Sequence, residues 1–280
     1  MASDNRNVLM IGGDRRNVYL HDILRRRGGV ELHAFGLAMA DRGLGDIERA
    51  IGEADVIVLP MPSTKNGMVP LLTLEAAFPM DTILQNMREG AALVGGFLPG
   101  TVPNKPGIRV VNLLASERFQ QANAWPTAEG AIRVALERTE RTLRGSRCAV
   151  LGYGRIGKDL VKLLCSFGSE VVATARRKEQ LEDIAALGVL AVHTDNLIEA
   201  CEDCNFIFNT IPAVLLYEER LRKLRRDVVI IDLASTPYGV DFNAATRLKL
   251  DAQTYQSLPG RFFPKTAADI IYTCIKDLFA

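Results

Sequence analysis

Short apolar runs alternate with longer amphipathic stretches along the chain. Residues 7–11 (NVLMI) read as a buried strand ending in Gly12-Gly13-Asp14, and a helical stretch follows to Arg27. Residues 31–35 and 54–59 give two more strands, the second stopped by Pro60 and Pro62; 91–97 and 108–113 give two others. From Pro126, apolar side chains fall at Ala128, Ala131, Ile132, Ala135 and Leu136, the stripe of a one-faced helix that should end at Gly145. A second alternation begins there, with strands at 147–151, 170–174, 190–192, 205–209 and 228–232. The segment from Pro264 repeats the helical stripe with Ala267, Ile270, Ile271, Cys274, Ile275, Leu278 and Phe279. Apolar strands separated by helices belong to parallel sheets covered on both faces. The pattern predicts an α/β protein of two doubly wound parallel-sheet domains. The first should cover 1–125, a bridging helix 126–145 and the second domain 146–262, with a last helix over 263–280 returning to the first.

One motif gives the second domain a chemistry. Gly152, Gly154 and Gly157 form G-x-G-x-x-G between a strand and a helix, with Arg155 and Ile156 inside it. In such a turn the first glycine makes the bend, the second lets a pyrophosphate approach, and the third packs helix on strand. The expectation is a Rossmann-type domain that holds a dinucleotide at a helix N-terminus. An NAD site carries an acidic residue about 20 residues on, at the end of the next strand. Here Thr174 is followed by Ala175, Arg176 and Arg177, with no carboxylate. Arginine there pairs with a 2′-phosphate, so the predicted cofactor is NADP. Thr210, Ile211 and Pro212, and Leu233, Ala234 and Ser235, follow two further strands on the edge where such sheets bind ligands.

Composition narrows the partner. A chain of 280 residues with 48% hydrophobic and 24% charged residues has the core of a folded protein of about two domains. Its 34 Lys+Arg against 33 Asp+Glu offer no electrostatic case for a nucleic acid or an anionic membrane. A small anion held by local cations remains. Five cysteines make no disulfide framework, no apolar run reaches membrane-span length, and residues 1–7 are polar, so a cytoplasmic location is expected. Cys201-x-x-Cys204 has no second pair or nearby histidine, and the three histidines are scattered, so no metal is expected.

Candidate cations and proton carriers lie in the loops. Lys265 falls in the first turn of the last helix, where a cation opposes the helix dipole and hints at an anion nearby. Glu129, placed near the start of the bridging helix, has the opposite, favoured sign, and we expect it to pair with Lys265. Arg16 after the Gly12-Gly13 turn, and Thr64 and Lys65 in Ser63-Thr64-Lys65-Asn66-Gly67, are placed to receive carboxylates or to be solvated loop residues.

The segments IGGDRR (11–16), LPMPSTKNG (59–67), PTAEG (126–130), GYGRIG (152–157), NTIPA (209–213), DLAS (232–235) and LPGRFFPKTA (258–267) together resemble the A-subunit family of dipicolinate synthases over nearly the whole chain. The resemblance implies an NADP-dependent oxidoreductase of spore-forming bacteria, acting in the mother cell with a second, flavoprotein-like B subunit. Its substrate would be a small dicarboxylate, 4-hydroxy-tetrahydrodipicolinate, which becomes dipicolinate by loss of water and of a hydride. The resemblance also implies Arg16, Thr64, Glu129 and Lys265 as substrate or proton-transfer residues, with Lys65 and Gly260 beside them, and leaves a homo-oligomer open. A 2-hydroxy-acid dehydrogenase is the rival reading, but it needs an arginine after residues 232–235 and a later histidine. Thr236-Pro237 stands there, and no histidine follows His193. A nonenzymatic NADP-binding regulator is a second rival.

Overall fold

Two parallel sheets organise the chain, one in each of two units: Met1–Asn123 with Phe263–Ala280, and Ala124–Phe262. The computed structural model describes residues 5–37, 47–72, 77–98 and 107–279.

The first unit runs β1 (Arg6–Ile11), α1 (Arg15–Arg27), β2 (Val30–Phe35), α2 (Ile47–Glu53) and β3 (Val56–Val58). A small antiparallel pair, β4 (Met68–Pro70) and β5 (Ala77–Pro79), then precedes α3 (Met80–Asn86), β6 (Ala92–Gly95) and β7 (Arg109–Asn112). The main sheet has the order β2-β1-β3-β6-β7 with every pairing parallel. Val8, Leu9, Met10 and Ile11 are fully buried, as a strand covered on both faces requires. α1 starts where it does because Asp14 caps it: the carboxylate accepts from the Arg16 N–H at 2.9 Å, and the Asn17 side chain accepts from the Asp14 N–H at 3.3 Å. Arg25, Arg26 and Arg27 in the last turn suit the dipole at its other end. The strand expected to reach residue 97 stops at Gly95. Phe97 has φ +58, a left-handed conformation that cannot continue a strand.

α4 (Glu117–Glu137) corrects the expected helix over 126–145, and the boundary between the units falls inside it. It begins nearer Ser116, whose hydroxyl accepts from the Phe119 N–H at 3.4 Å, so Pro126 is an interior residue and not the opener. Residues 138–145 are not helical. Arg138 turns aside to bind the Asp251 carboxylate and, at 3.2 Å, the Tyr255 hydroxyl.

The second unit continues with β8 (Arg147–Leu151), α5 (Arg155–Ser166), β9 (Glu170–Ala175), α6 (Lys178–Ala186), β10 (Leu190–His193) and α7 (Leu197–Cys201). Then come β11 (Phe206–Asn209), α8 (Glu218–Leu221), β12 (Val229–Asp232), α9 (Phe242–Arg247), β13 (Asp251–Thr254) and α10 (Leu258–Phe262). Its sheet has the order β10-β9-β8-β11-β12-β13, all parallel, which is the Rossmann order. Edge strand β13 (DAQT) carries no apolar run and was invisible to the hydrophobic pattern.

α11 (Pro264–Ile275) belongs to the first unit, where Ala268, Ile271 and Ile275 are buried with Leu20 and Leu24 of α1. Lys265 lies over the Tyr19 ring and Arg27 over the Tyr272 ring, so the two helices run parallel. Among the described residues no helix is long and apolar enough to cross a membrane, and no group of three or more His, Cys, Asp or Glu side chains could hold a metal.

Candidate active site

In an open parallel sheet, ligands bind beyond the carboxyl ends of the strands where the winding reverses. In the second unit that point lies between β8 and β11. Gly152 turns the chain with φ +95. A Cβ on Gly157 would lie 2.1 Å from the Gly152 carbonyl oxygen, so only glycine lets α5 come this close. Gly154 is the opposite case: a Cβ there would meet nothing within 4 Å, so that space is open. Gly154 also caps α5 without a side-chain bond, and the first turn, opening with the exposed Arg155, holds no acidic residue. Backbone N–H groups beside open space fit a dinucleotide pyrophosphate.

The loop is braced from both sides. Its Gly152 N–H donates to the Thr174 hydroxyl at 3.2 Å, and Gln180 Nε2 donates to the Tyr153 carbonyl at 2.8 Å. Thr174 is thus buried and committed to the loop, while Ala175 closes β9 and Arg176 and Arg177 stand exposed beyond it. His193 Nε2 sits 3.2 Å from the Arg176 carbonyl oxygen.

Beyond β11 and β12 the polar side chains serve the fold. Asp232 is fully buried and accepts from Asn209 Nδ2 (2.8 Å), the Ala234 N–H (3.0 Å) and the Gly239 N–H (2.7 Å). The Thr210 hydroxyl donates to the Leu151 carbonyl at 2.9 Å. Leu233 and Ala234 are buried, and the Ala234 carbonyl accepts from Gln256 Nε2, while Pro212 and Ser235 are exposed and Ile156 and Ile211 half-buried. The buried Asn209–Asp232 latch was legible only as two polar strand ends.

The first unit's winding reverses between β1 and β3, which brings the two loops singled out in the sequence to one edge. Arg16 is nearly buried, and its guanidinium is engaged: it makes a two-pronged bond to Asp14 and donates to the Met61 carbonyl at 2.5 Å. That ties the loop after β1 to the loop after β3. Ser63, which sequence reasoning passed over, ties the latter to β6: its hydroxyl donates to the Pro60 carbonyl (3.0 Å) and accepts from the Gly96 N–H (2.8 Å). Thr64 is half-buried and Lys65 exposed. The Lys65 backbone exchanges two hydrogen bonds with Met68 around Asn66-Gly67, both at positive φ, the signature of a tight two-residue hairpin turn.

The two proton-transfer candidates stand in different units. Lys265 holds its ammonium 5.5 Å from the centre of the Tyr19 ring, which compensates its place in a first turn. Glu129 corrects an expectation: it lies deep within α4 and not at its start, exposed, with a carboxylate oxygen accepting from Trp125 Nε1 at 2.6 Å. Gly260 is half-buried in α10.

The cradle and the strand order define a Rossmann-type dinucleotide-binding domain, and residues 110–241 match the family described as D-isomer specific 2-hydroxyacid dehydrogenase, NAD binding domain, which makes the protein an oxidoreductase with a nicotinamide-dinucleotide domain. Residues 7–106 match the family described as the N-terminal domain of the dipicolinate synthase A subunit. The dipicolinate synthase A subunit of Bacillus subtilis (strain 168) is 29% identical over 98% of this chain and 95% of that one. The crystal structure of the corresponding protein from Bacillus halodurans superposes with a TM-score of 0.88 at 28% identity, covering 99% of this chain and 98% of that one. The A chain of dipicolinate synthase from Bacillus subtilis gives 0.85 at 28% identity, covering 98% and 95%. The chain is a homologue of the dipicolinate synthase A subunit.

Proposed function

We propose that the protein converts 4-hydroxy-tetrahydrodipicolinate to dipicolinate with NADP as oxidant, together with a B subunit, in the mother cell of a sporulating bacterium. The observation that carries the reading is the dinucleotide cradle in a chain homologous along its length to the A subunit of dipicolinate synthase. Exposed Arg176 and Arg177, with no carboxylate at the end of β9, support the phosphorylated coenzyme.

In this reading the Gly154–α5 junction holds the pyrophosphate, Arg176 and Arg177 the 2′-phosphate, and Ile211, Pro212 and Ser235 border the nicotinamide end. NADP, when bound, supplies the acceptor for a hydride from the substrate ring. Lys65 and Thr64 take the substrate carboxylates, and Arg16 holds their loop in place through the Met61 carbonyl. Glu129 and Lys265 exchange the protons: one leaves a ring carbon, and another reaches the departing hydroxyl so that it goes as water. The second step releases a hydride and a proton and leaves the aromatic pyridine. Aromaticity drives it, so orientation is the protein's main task.

The test combines turnover and binding. Incubation with NADP and freshly made substrate is expected to raise the reduced-nicotinamide absorbance; no rise, whether or not the B subunit is present, rejects the reaction. Calorimetry is expected to show NADP bound more tightly than NAD, and Arg176→Ala with Arg177→Ala to erase about tenfold or more of that preference, since a hydrogen bond to a charged group contributes about 1.5–3 kcal/mol. Equal affinity for both coenzymes rejects the oxidant.

A further inference from the structure

Phe97 follows β6 on the carboxyl edge of the first sheet, and two unfavourable features meet in it. It is a large apolar side chain 75% exposed to water, and its backbone is left-handed at φ +58, a conformation bulky residues avoid. The fold nevertheless fixes it. Asn112 at the end of β7 accepts from the Phe97 N–H at 3.1 Å and donates to the Leu98 carbonyl at 3.2 Å, clamping the chain on both sides of the ring. The preceding Gly96 is bonded to Ser63 through both its N–H and its carbonyl, at 2.8 and 2.9 Å. Through the Arg16 bond to Met61, the same fastening continues to the loop after β1. The backbone under Phe97 is therefore fixed, one residue from the Gly96 that Ser63 holds, and its exposed ring stands at the sheet edge where ligands of this fold bind.

We propose that Phe97 is the platform on which the substrate ring lies, and that it selects flat, conjugated rings bearing carboxylates. The inference rests on the function proposed above and deepens it. Lys65 and Thr64 recognise charge without sensing ring shape, whereas an aromatic face rewards planarity. The substrate starts puckered and becomes flat as water and then hydride leave, so contact with Phe97 grows along the reaction and favours its later species. Strain at an exposed residue on this edge is stored where it is used.

The test is calorimetry on the full-length protein with NADP present, using pyridine-2,6-dicarboxylate as the flat ring and piperidine-2,6-dicarboxylate as the puckered one. Phe97→Ala and Phe97→Gly are compared with Phe97→Tyr; the glycine variant accepts the positive φ and so keeps the fold. The flat ring is expected to bind about five- to tenfold more weakly to the alanine and glycine variants, with Phe97→Tyr and all puckered-ring affinities within about twofold of the parent. Unchanged flat-ring binding in Phe97→Ala and Phe97→Gly, or equal losses for both rings, overturns the platform. If the parent turns over its substrate while those variants bind normally, the platform alone falls. If the parent binds the flat ring with the expected losses but performs no turnover, the reaction falls and the platform stands. If the parent binds neither ring yet turns over its substrate, the platform falls and the reaction stands.

Discussion

Gly154 and Gly157 lie in the same turn and answer to different constraints. An alanine at 157 places its Cβ against the Gly152 carbonyl, and backbone cannot move aside as a side chain tip can. Gly157→Ala is expected to cost about 1–3 kcal/mol of stability, read as a lower thermal midpoint, and to abolish coenzyme binding with it. Gly154→Ala meets nothing and should leave the midpoint unchanged, yet its methyl enters the open space proposed for the pyrophosphate, so coenzyme affinity should fall alone. Loss of stability in the second variant, or none in the first, would contradict this division. His21 on α1 makes a prediction about pH. Burial holds its imidazole below the ordinary value, Arg25 adding to the effect and Asp22 opposing it. The unfolded chain then binds that proton more readily than the folded one, so His21 contributes stability at neutral pH that is lost as pH falls through about 6.5 towards the lower folded value. Thermal midpoints measured from pH 7.5 to 5 should fall less steeply in His21→Gln than in the parent.

Among the elements, α11 and the short turn over Lys276–Phe279 that follows it close the core of the first unit. Ile271, Ile275, Leu278 and Phe279 are buried in the core of the first unit. Each contributes about 1.5–3 kcal/mol, and their sum is comparable with the whole net stability of a domain, about 5–15 kcal/mol. A chain ending at Phe263 should therefore lose the first unit and keep the second: limited proteolysis should degrade residues before α4 while a fragment near 124–262 persists and still binds coenzyme. Survival of the first unit would show that α11 is dispensable. This helix was legible in sequence because its stripe is apolar at helical spacing. The buried strands were legible for a related reason, since covering both faces demands unbroken apolar runs such as NVLMI. What escaped was whatever lacks that demand: β13, polar and at an edge, and the first turns of α4, where Ser116 is a weaker signal than Pro126. A proline reads as a helix opener, and here the helix absorbs it.

At the scale of the molecule, two sheets of different winding order each offer one reversal point, and the sequence marked both with glycine turns. The nucleotide cradle was legible because glycine at 152 and 157 answers a steric need of the turn itself, and Gly154 completes the spacing between them. The remainder of the site was only half legible. Loop cations such as Arg16 and Lys65 look alike in a sequence, and the structure separates them: Arg16 is fastened to Asp14 and Met61 while Lys65 is exposed. Glu129 was misplaced along its helix, and Phe97 was read as one more strand residue, because neither a long-range bond to Asn112 nor a positive φ leaves a local signature.

The interruption of the first unit by the second sets an order of birth. A ribosome delivers the strands β1 to β7 early, yet the helix that seals their hydrophobic layer emerges only after the whole second unit. The nucleotide-binding half, by contrast, is contiguous and complete before synthesis ends. The nascent chain must therefore carry an unsealed first half while the second matures, and that open layer is the part of the molecule for which a chaperone would have the most to do.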